Sequence, residues 1–245
     1  MLYVIATPIG NLKDITLRAL EALREVDFIL CEDTRVTKNL LNHYEIKDKK
    51  LISYHQHSDE RKIMELVNLV RNYKVAMVTD AGTPGINDPG GLLVRELVKP
   101  TIPFRPARAG HLPLPGEDIE IVTIPGPSAA IAALSVSGFP TDEFLFKGFI
   151  PHKKGRQTFL KEVLSERMTV VFYESCHRIV KCLEEIKKLT SEDEKTDERG
   201  YGKKEFMVGR ELTKKFETIY RGTIEEVLKR VKDDPVKGEY VVVAH

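Results

Sequence analysis

The chain has 245 residues, 42% of them hydrophobic and 31% charged, a composition that supplies apolar material for real cores and excludes a wholly disordered protein. Its 38 Lys and Arg nearly cancel its 37 Asp and Glu, so affinity for nucleic acid has to come from local basic clusters and not from a global positive field. Cys31, Cys176 and Cys182 lie far apart without CxxC spacing, which points away from a disulfide framework or a zinc site.

Length suggests two domains of about 100 to 150 residues each. The chain begins with the strand-like "MLYVIAT" and not with a signal peptide, and it has no run of about 18 apolar residues. A cytoplasmic protein that does not span a membrane is expected.

Apolar, β-branched runs alternate with amphipathic patterns along the whole chain. "LYVIAT" is followed by a helix over 15–26, in which Ile15, Ala19, Leu23 and Val26 share a face. Then come "DFILCEDT" and a helix near 35–44, "KLISYH" and a helix near 59–73, "KVAMVTD" and a helix near 90–99, and "IEIVTIP" and a helix near 128–137. Five successive β-then-α units predict a five-stranded, mainly parallel sheet with helices on its faces. After the turn signal "GFPTDE" the reading continues with "FLFKGFI", a helix at 154–166, "MTVVFYES", a helix at 177–189, "EFMVGREL", "FETIYRG", a helix at 223–232 and "EYVVVAH". Hairpin spacing between Gly209 and Gly222 makes the second sheet mixed. The fold class is therefore α/β, with domains at 1–146 and 147–245. The acidic 190–204 segment reads as a solvated connection, and the proline-rich 99–118 segment as a surface excursion without assigned function.

Ligands of open α/β sheets sit beyond the carboxyl ends of the strands. Three loops leave such ends through Gly and Pro: "TPIGN" (7–11), "DAGTPGINDPGG" (80–91) and "IPGPSAA" (124–130). Glycine admits close approach and unusual backbone angles, and proline pre-orders the turn, so these loops offer main-chain groups to a ligand. GxGxxG, GxxxxGK[ST], HExxH and GxSxG are all missing. The two histidines of "YHQH" (54–57) read as strand-end polarity, and no metal is expected. A phosphate-free cofactor held by backbone hydrogen bonds and an apolar bed would suit the loops.

"ATPIGNLKDITLRAL", "CEDTR", "DAGTPGINDPG", "IPGPSA" and "GRELTKKFE", in this order, resemble the ribosomal RNA small subunit methyltransferase I branch of the tetrapyrrole methylase superfamily. The resemblance spans nearly the whole chain. It implies a class III S-adenosylmethionine-dependent enzyme with two α/β domains, the cofactor in the cleft between them, and a homodimeric assembly. The implied reaction is 2′-O-ribose methylation of a cytidine in the decoding region of small-subunit (16S) rRNA, with free rRNA or the 30S subunit as partner. By the same resemblance Pro8 and Ile9 meet the methionine part of the cofactor, and Gly82, Thr83 and Ile86, with Asp80 opening their loop, border its ribose and amino acid. Ser128 and Ala129 receive its carboxylate at a helix start, while Tyr173, Met207 and Val208 form the adenine-side wall. Many relatives continue beyond the point where this chain stops, so a C-terminal extension is expected to be absent.

Methyl transfer from a sulfonium needs alignment and exclusion of water, together with a group that accepts the hydroxyl proton. Glu32, Asp33 and Arg35 of "CEDTR" are the catalytic candidates. Phosphate contacts are assigned to Lys153, Lys154 and Arg156 of "HKKGR" and to Arg178, Arg210 and Lys214. Glu174 and His177 are expected to face the same cleft, and Cys176 to be a packing residue. Two other readings compete: methylation of a small molecule such as a tetrapyrrole, and a non-catalytic rRNA-binding assembly factor.

Overall fold

The computed structural model describes residues 1–55, 58–99, 119–193 and 204–245. They form two compact units, one made of Met1–Pro8 and Leu12–Pro127, the other of Ile9–Asn11 and Ser128–His245.

The first unit contains β1 (Leu2–Ile5), α1 (Leu17–Glu25), β2 (Phe28–Cys31), α2 (Thr34–His43), β3 (Lys50–Ser53), α3 (Glu60–Asn72), β4 (Val75–Met77), α4 (Gly91–Val98) and β5 (Ile121–Ile124). Its five strands run in the order β3-β2-β4-β1-β5, and every pairing is parallel. The two-residue period of a strand sends neighbours to opposite faces. Ile29 thus packs with Ala19, Leu23 and Val26 from the α1 side, whereas Leu30 packs with Ile63, Leu66 and Leu93 from α3 and α4. Both faces are covered, as a parallel sheet requires. Helix starts follow from local chemistry: the side chains of Thr16, Asp33 and Asp59 each accept a hydrogen bond from a first-turn amide of α1, α2 and α3.

The second unit contains α5 (Ala129–Ser135), β6 (Phe144–Phe149), α6 (Arg156–Ser165), β7 (Thr169–Ser175), α7 (Ile179–Asp193), β8 (Phe206–Arg210), β9 (Thr218–Gly222), α8 (Ile224–Asp233) and β10 (Glu239–Ala244). Its sheet has the order β6-β7-β10-β8-β9. Only β6 and β7 are parallel, and the β8–β9 hairpin is the one the glycine spacing predicts. Leu160, Val163, Phe172, Ile179, Leu183, Ile186, Val208 and Val242 build its core. Thr223 and Glu226 close a reciprocal capping box at the start of α8.

Two α/β units, one parallel and one mixed, are as expected, but the division falls between Pro127 and Ser128 and not at 146/147. The reason is α5. Its buried Ala130, Ala133 and Leu134 go with β7 and β10 of the second sheet, although the helix follows β5 in sequence. The proline-rich segment from residue 100, Gln56 and His57 of "YHQH", and most of the acidic connection lie outside the described residues.

Candidate functional site at the strand ends

β1 and β4 are neighbours, yet the chain leaves β1 for α1 on one face of the sheet and β4 for α4 on the other. Such divergence is the switch point at which α/β sheets bind ligands. Thr7 and Gly82 bridge it. The Thr7 amide donates to the Gly82 carbonyl at 2.9 Å, and the Gly82 amide returns a bond to the Thr7 carbonyl at 3.0 Å. Thr7 Oγ1 donates to the Thr79 carbonyl in a buried contact of 3.1 Å. Gly82 adopts φ 81°, the left-handed region where a Cβ is disfavoured.

The second and third loops are tied into the same end. Gly85 donates to the Pro89 carbonyl at 3.1 Å. Gly90, at φ 132°, passes so close to β4 that an added Cβ would lie 2.8 Å from Met77 Cε. Thr83 Oγ1 donates to the Pro127 carbonyl at 3.2 Å. Gly126 leans on Ala6, where a Cβ would meet the alanine methyl at 3.0 Å. All three loops singled out in the sequence therefore gather at one end of one sheet and are bonded to one another. Pro8 and Ile9 are buried, while Ile86 is more than half exposed.

A cavity of about 200 Å³ opens beside the bridge, lined by Thr7, Pro8, Val36, Thr37, Thr79 and Asp80 among others. A more open depression of about 410 Å³ adjoins it, lined by Glu32, Asp33, Thr34, Ser53, His55 and Asp80. Asp80 belongs to both. Its Oδ1 accepts the Asp33 amide at 3.0 Å, which joins the "CEDTR" strand end to the glycine-rich loop.

The three residues chosen from "CEDTR" divide into different roles. Asp33 caps α2 through the Arg35 amide (2.8 Å) and grips the Arg35 guanidinium at 2.6 Å. Those hydrogen bonds hold its carboxyl down at about 2, so it is a poor proton acceptor near neutral pH. Arg35 itself is exposed. Glu32 is different, because burial first and the Asp80 charge second push its carboxyl up. Asp88, which the sequence reading passed over, is pushed up to about 6 by burial, then by the charges of Glu32 and Asp80. Glu32 and, from the 80–91 loop, Asp80 and Asp88 are thus close enough for their charges to act on one another, and His55 lines the depression with Glu32 and Asp80, its Nε2 2.8 Å from Ser53 Oγ. The signal for Asp88 was present in "GINDPGG", but only the fold brings it to Glu32.

In the second unit the Tyr173 hydroxyl accepts the Ala130 amide at 3.2 Å, which places Tyr173 at the start of α5 beside Ser128 and Ala129. Ser128 occupies the N-cap position without spending its side chain on the helix. Met207 and Val208 are consecutive strand residues and both fully buried. Val208 belongs to the core against α7 and α8, so the two side chains face opposite sides of the sheet and do not form one wall.

The basic residues also divide. Lys153 and Lys154 are exposed. Arg156 is not: it is 5% exposed, with Nη1 3.0 Å from Glu174 Oε2 and Nε 2.6 Å from Glu185 Oε2. Its guanidinium is occupied by the buried Glu174 and the partly buried Glu185 and is not presented to a phosphate. Arg178 adds a contact of 2.8 Å to the other oxygen of Glu174. Glu174 is thus buried between two arginines and does not face an open surface. Arg210 is buried and donates to the Lys237 carbonyl at 2.9 Å, while Lys214 is held between Glu211 and Glu239. Cys176 packs against the core.

Residues 1–107 and 108–228 match the family described as Tetrapyrrole (Corrin/Porphyrin) Methylases. A Thermotoga maritima protein named ribosomal RNA small subunit methyltransferase I is 40% identical over 243 residues, covering 99% of this chain and 96% of the relative. A protein of the same name from Hydrogenobaculum sp. is 41% identical over 245 residues, covering 99% and 94%. Among solved structures, a diphthine synthase superposes with TM-score 0.67 at 14% identity, over 99% of this chain and 88% of that one. A cobalt precorrin-4 methyltransferase superposes with TM-score 0.62 at 18% identity, over 99% and 93%. At those identities the structures speak for the fold alone. The full-length sequence matches speak for ancestry: the chain belongs to the tetrapyrrole methylase family, in the branch whose relatives are named ribosomal RNA small subunit methyltransferase I.

Proposed function

We propose that this protein methylates ribosomal RNA, using S-adenosylmethionine as donor and the 2′-hydroxyl of a cytidine in the decoding region of the 16S rRNA as acceptor. It would work in the cytoplasm as a homodimer on rRNA or on the 30S subunit. The observation that carries the reading is the meeting of three side-chain-poor loops and a crowded carboxylate cluster at the β1/β4 switch point. The names of the full-length relatives supply the substrate class.

The cradle fits the donor's chemistry. Thr83 spends its hydroxyl on Pro127, and Gly82, Gly90 and Gly126 sit where added Cβ atoms would strain or fill the loops. What remains for a ligand is mostly main chain and the apolar surface of Pro8, Ile9 and Ile86. Ser128, Ala129 and the neighbouring Tyr173 would receive the donor's carboxylate and adjoining atoms. When bound, S-adenosylmethionine supplies an electrophilic methyl group.

The chain's own part is to align the acceptor, exclude water and take its proton. Asp88 suits the proton-accepting role, because with a carboxyl near 6 it is ionised at neutral pH yet more basic than an ordinary aspartate. Burial keeps it so, and repulsion from Glu32 and Asp80 adds to the effect. Asp33 and Arg35 order the strand end and, through the exposed Arg35, offer a cation to the substrate. Lys153 and Lys154 supply phosphate contacts, and Arg156 shapes the loop that carries them. The test is transfer of labelled methyl from S-adenosylmethionine to 16S rRNA or 30S particles by the purified protein, with the modified position mapped by mass spectrometry. Cofactor binding without transfer to either substrate would reject the reading.

A further inference from the structure

The Glu211–Glu217 turn between β8 and β9 carries more strain and charge than a hairpin connection needs. Glu211 and Thr213 both lie in the left-handed region, at φ 52° and 67°, at a cost of about 1 to 2 kcal/mol each. Such strain persists only where the surroundings over-determine it. The Glu211 amide donates to the Glu239 carbonyl at 2.9 Å, and the Glu239 amide donates to Glu211 Oε1 at 3.0 Å. Lys214 Nζ reaches Glu211 Oε1 and Glu239 Oε2, both at 2.9 Å. Burial works against the Lys214 charge, but hydrogen bonds to the two carboxylates outweigh it and raise its pKa. Gly238, at φ 94°, leaves room for this arrangement, since a Cβ there would lie 2.4 Å from Glu211 Cδ.

Fixing the ammonium fixes the stem beneath it. That stem lies directly on Gly10: an added Cβ would fall 2.4 Å from Lys214 Cγ and 2.8 Å from Cε. One residue on, the Asn11 amide donates to Thr213 Oγ1 at 3.2 Å across a sequence separation of 202. Ile9–Asn11 belongs to the same compact unit as this turn. "TPIGN" and "GRELTKKFE", two motifs read separately in the sequence, are therefore joined in space.

We propose that Lys214 and Thr213 are positioning residues for the cofactor, holding the main chain of Ile9–Asn11 through a Glu211–Lys214–Glu239 clamp. Lys214 is then not a phosphate contact. This rests on the reading that Pro8 and Ile9 meet the methionine part of S-adenosylmethionine. The gain is preorganisation: a glycine-bearing segment that would otherwise be ordered on binding is already held.

Calorimetry with S-adenosylmethionine on the full-length protein tests it, alongside the salt dependence of binding to a 16S rRNA fragment. Lys214→Met keeps most of the stem and removes both carboxylate contacts. Thr213→Val removes the acceptor for Asn11 at nearly constant volume. Each should weaken cofactor binding, Lys214→Met by about tenfold, and raise KM for the cofactor, with KM for RNA and the RNA salt slope unchanged. Gly10→Ala should weaken it similarly, because the added methyl falls on the Lys214 stem. Wild-type affinity in both Lys214→Met and Thr213→Val overturns the proposal, as does a salt slope for Lys214→Met smaller by about 0.7, the signature of one phosphate released from the protein. A wild-type protein that binds no S-adenosylmethionine would instead reject the functional reading beneath it.

Discussion

Arg156 Nη1 lies 3.0 Å from Glu174 Oε2, with both side chains almost completely enclosed. The pair joins the loop after β6 to the end of β7, because the same guanidinium nitrogen also donates to the Pro151 carbonyl at 3.3 Å. Removing one partner leaves the other buried with fewer contacts: Glu174 keeps Arg178, and Arg156 keeps Glu185. Arg156→Ala should destabilise the protein by about 2 to 3 kcal/mol, read as a lower urea midpoint. Arg156→Lys, which keeps the charge but loses the planar fork, should recover only part of it.

Lys153 and Lys154, close by in the chain but exposed, should behave in the opposite way. Their double replacement by alanine should leave the unfolding stability within about 0.5 kcal/mol of wild type. The log–log salt slope of RNA binding should fall by about 0.7 for each phosphate that a lysine no longer neutralises. Cofactor affinity, measured in the same samples, should not move.

Asp88 predicts a pH profile. If its carboxyl, near 6 in the folded protein, accepts the hydroxyl proton, the rate should climb as pH rises through about 6. Asp88→Asn should lower the rate by about 10² to 10⁴. In Glu32→Gln the loss of a neighbouring negative charge favours the ionised Asp88, so the ascending limb should move to lower pH. A limb that stays in place after that substitution would remove Asp88 from the role.

The same carboxyl carries a stability signature. Its folded pKa lies above the ordinary value of 3.8, so the folded state holds the proton more tightly. Its contribution is complete below about pH 4 and is lost as pH rises through about 6. Asp88→Asn should therefore stabilise the protein at neutral pH, by about 1 to 2 kcal/mol, while removing activity. Thermal midpoints of the two proteins at about pH 4 and pH 7.5 check the sign, with the gap appearing only at the higher pH.

Gly90 tests the loop architecture. Gly90→Ala forces a side chain onto φ 132° and drives its methyl toward Met77 Cε and the Gly85 amide, at 2.8 and 3.3 Å. A loss of about 2 kcal/mol or more is expected from the strained backbone and the overpacked contact. Cofactor affinity should fall with it. Gly91→Ala, where a Cβ meets nothing within 4 Å, is the control and should be close to neutral.

Much of this protein could be read along the chain. The alternation of β-branched runs with helical periodicity marked out both sheets, and Gly-Pro loops after "YVIAT", "VAMVT" and "IVTI" marked the strand ends, because those patterns are local and their physical causes lie within a few residues. The sequence could not say which side chains would meet. Asp88 looks like a turn residue until the loop after β4 brings it to Glu32. Arg156 looks like one of three surface cations until α6 buries it against Glu174. Lys214 looks free until Glu239, reached only by the last strand, fixes it over Gly10. α5 continues the first domain in sequence yet packs with the second sheet. Local propensity is decided by neighbours in the chain, but burial, charge pairing and shifted protonation are decided by neighbours in space, and only folding chooses those.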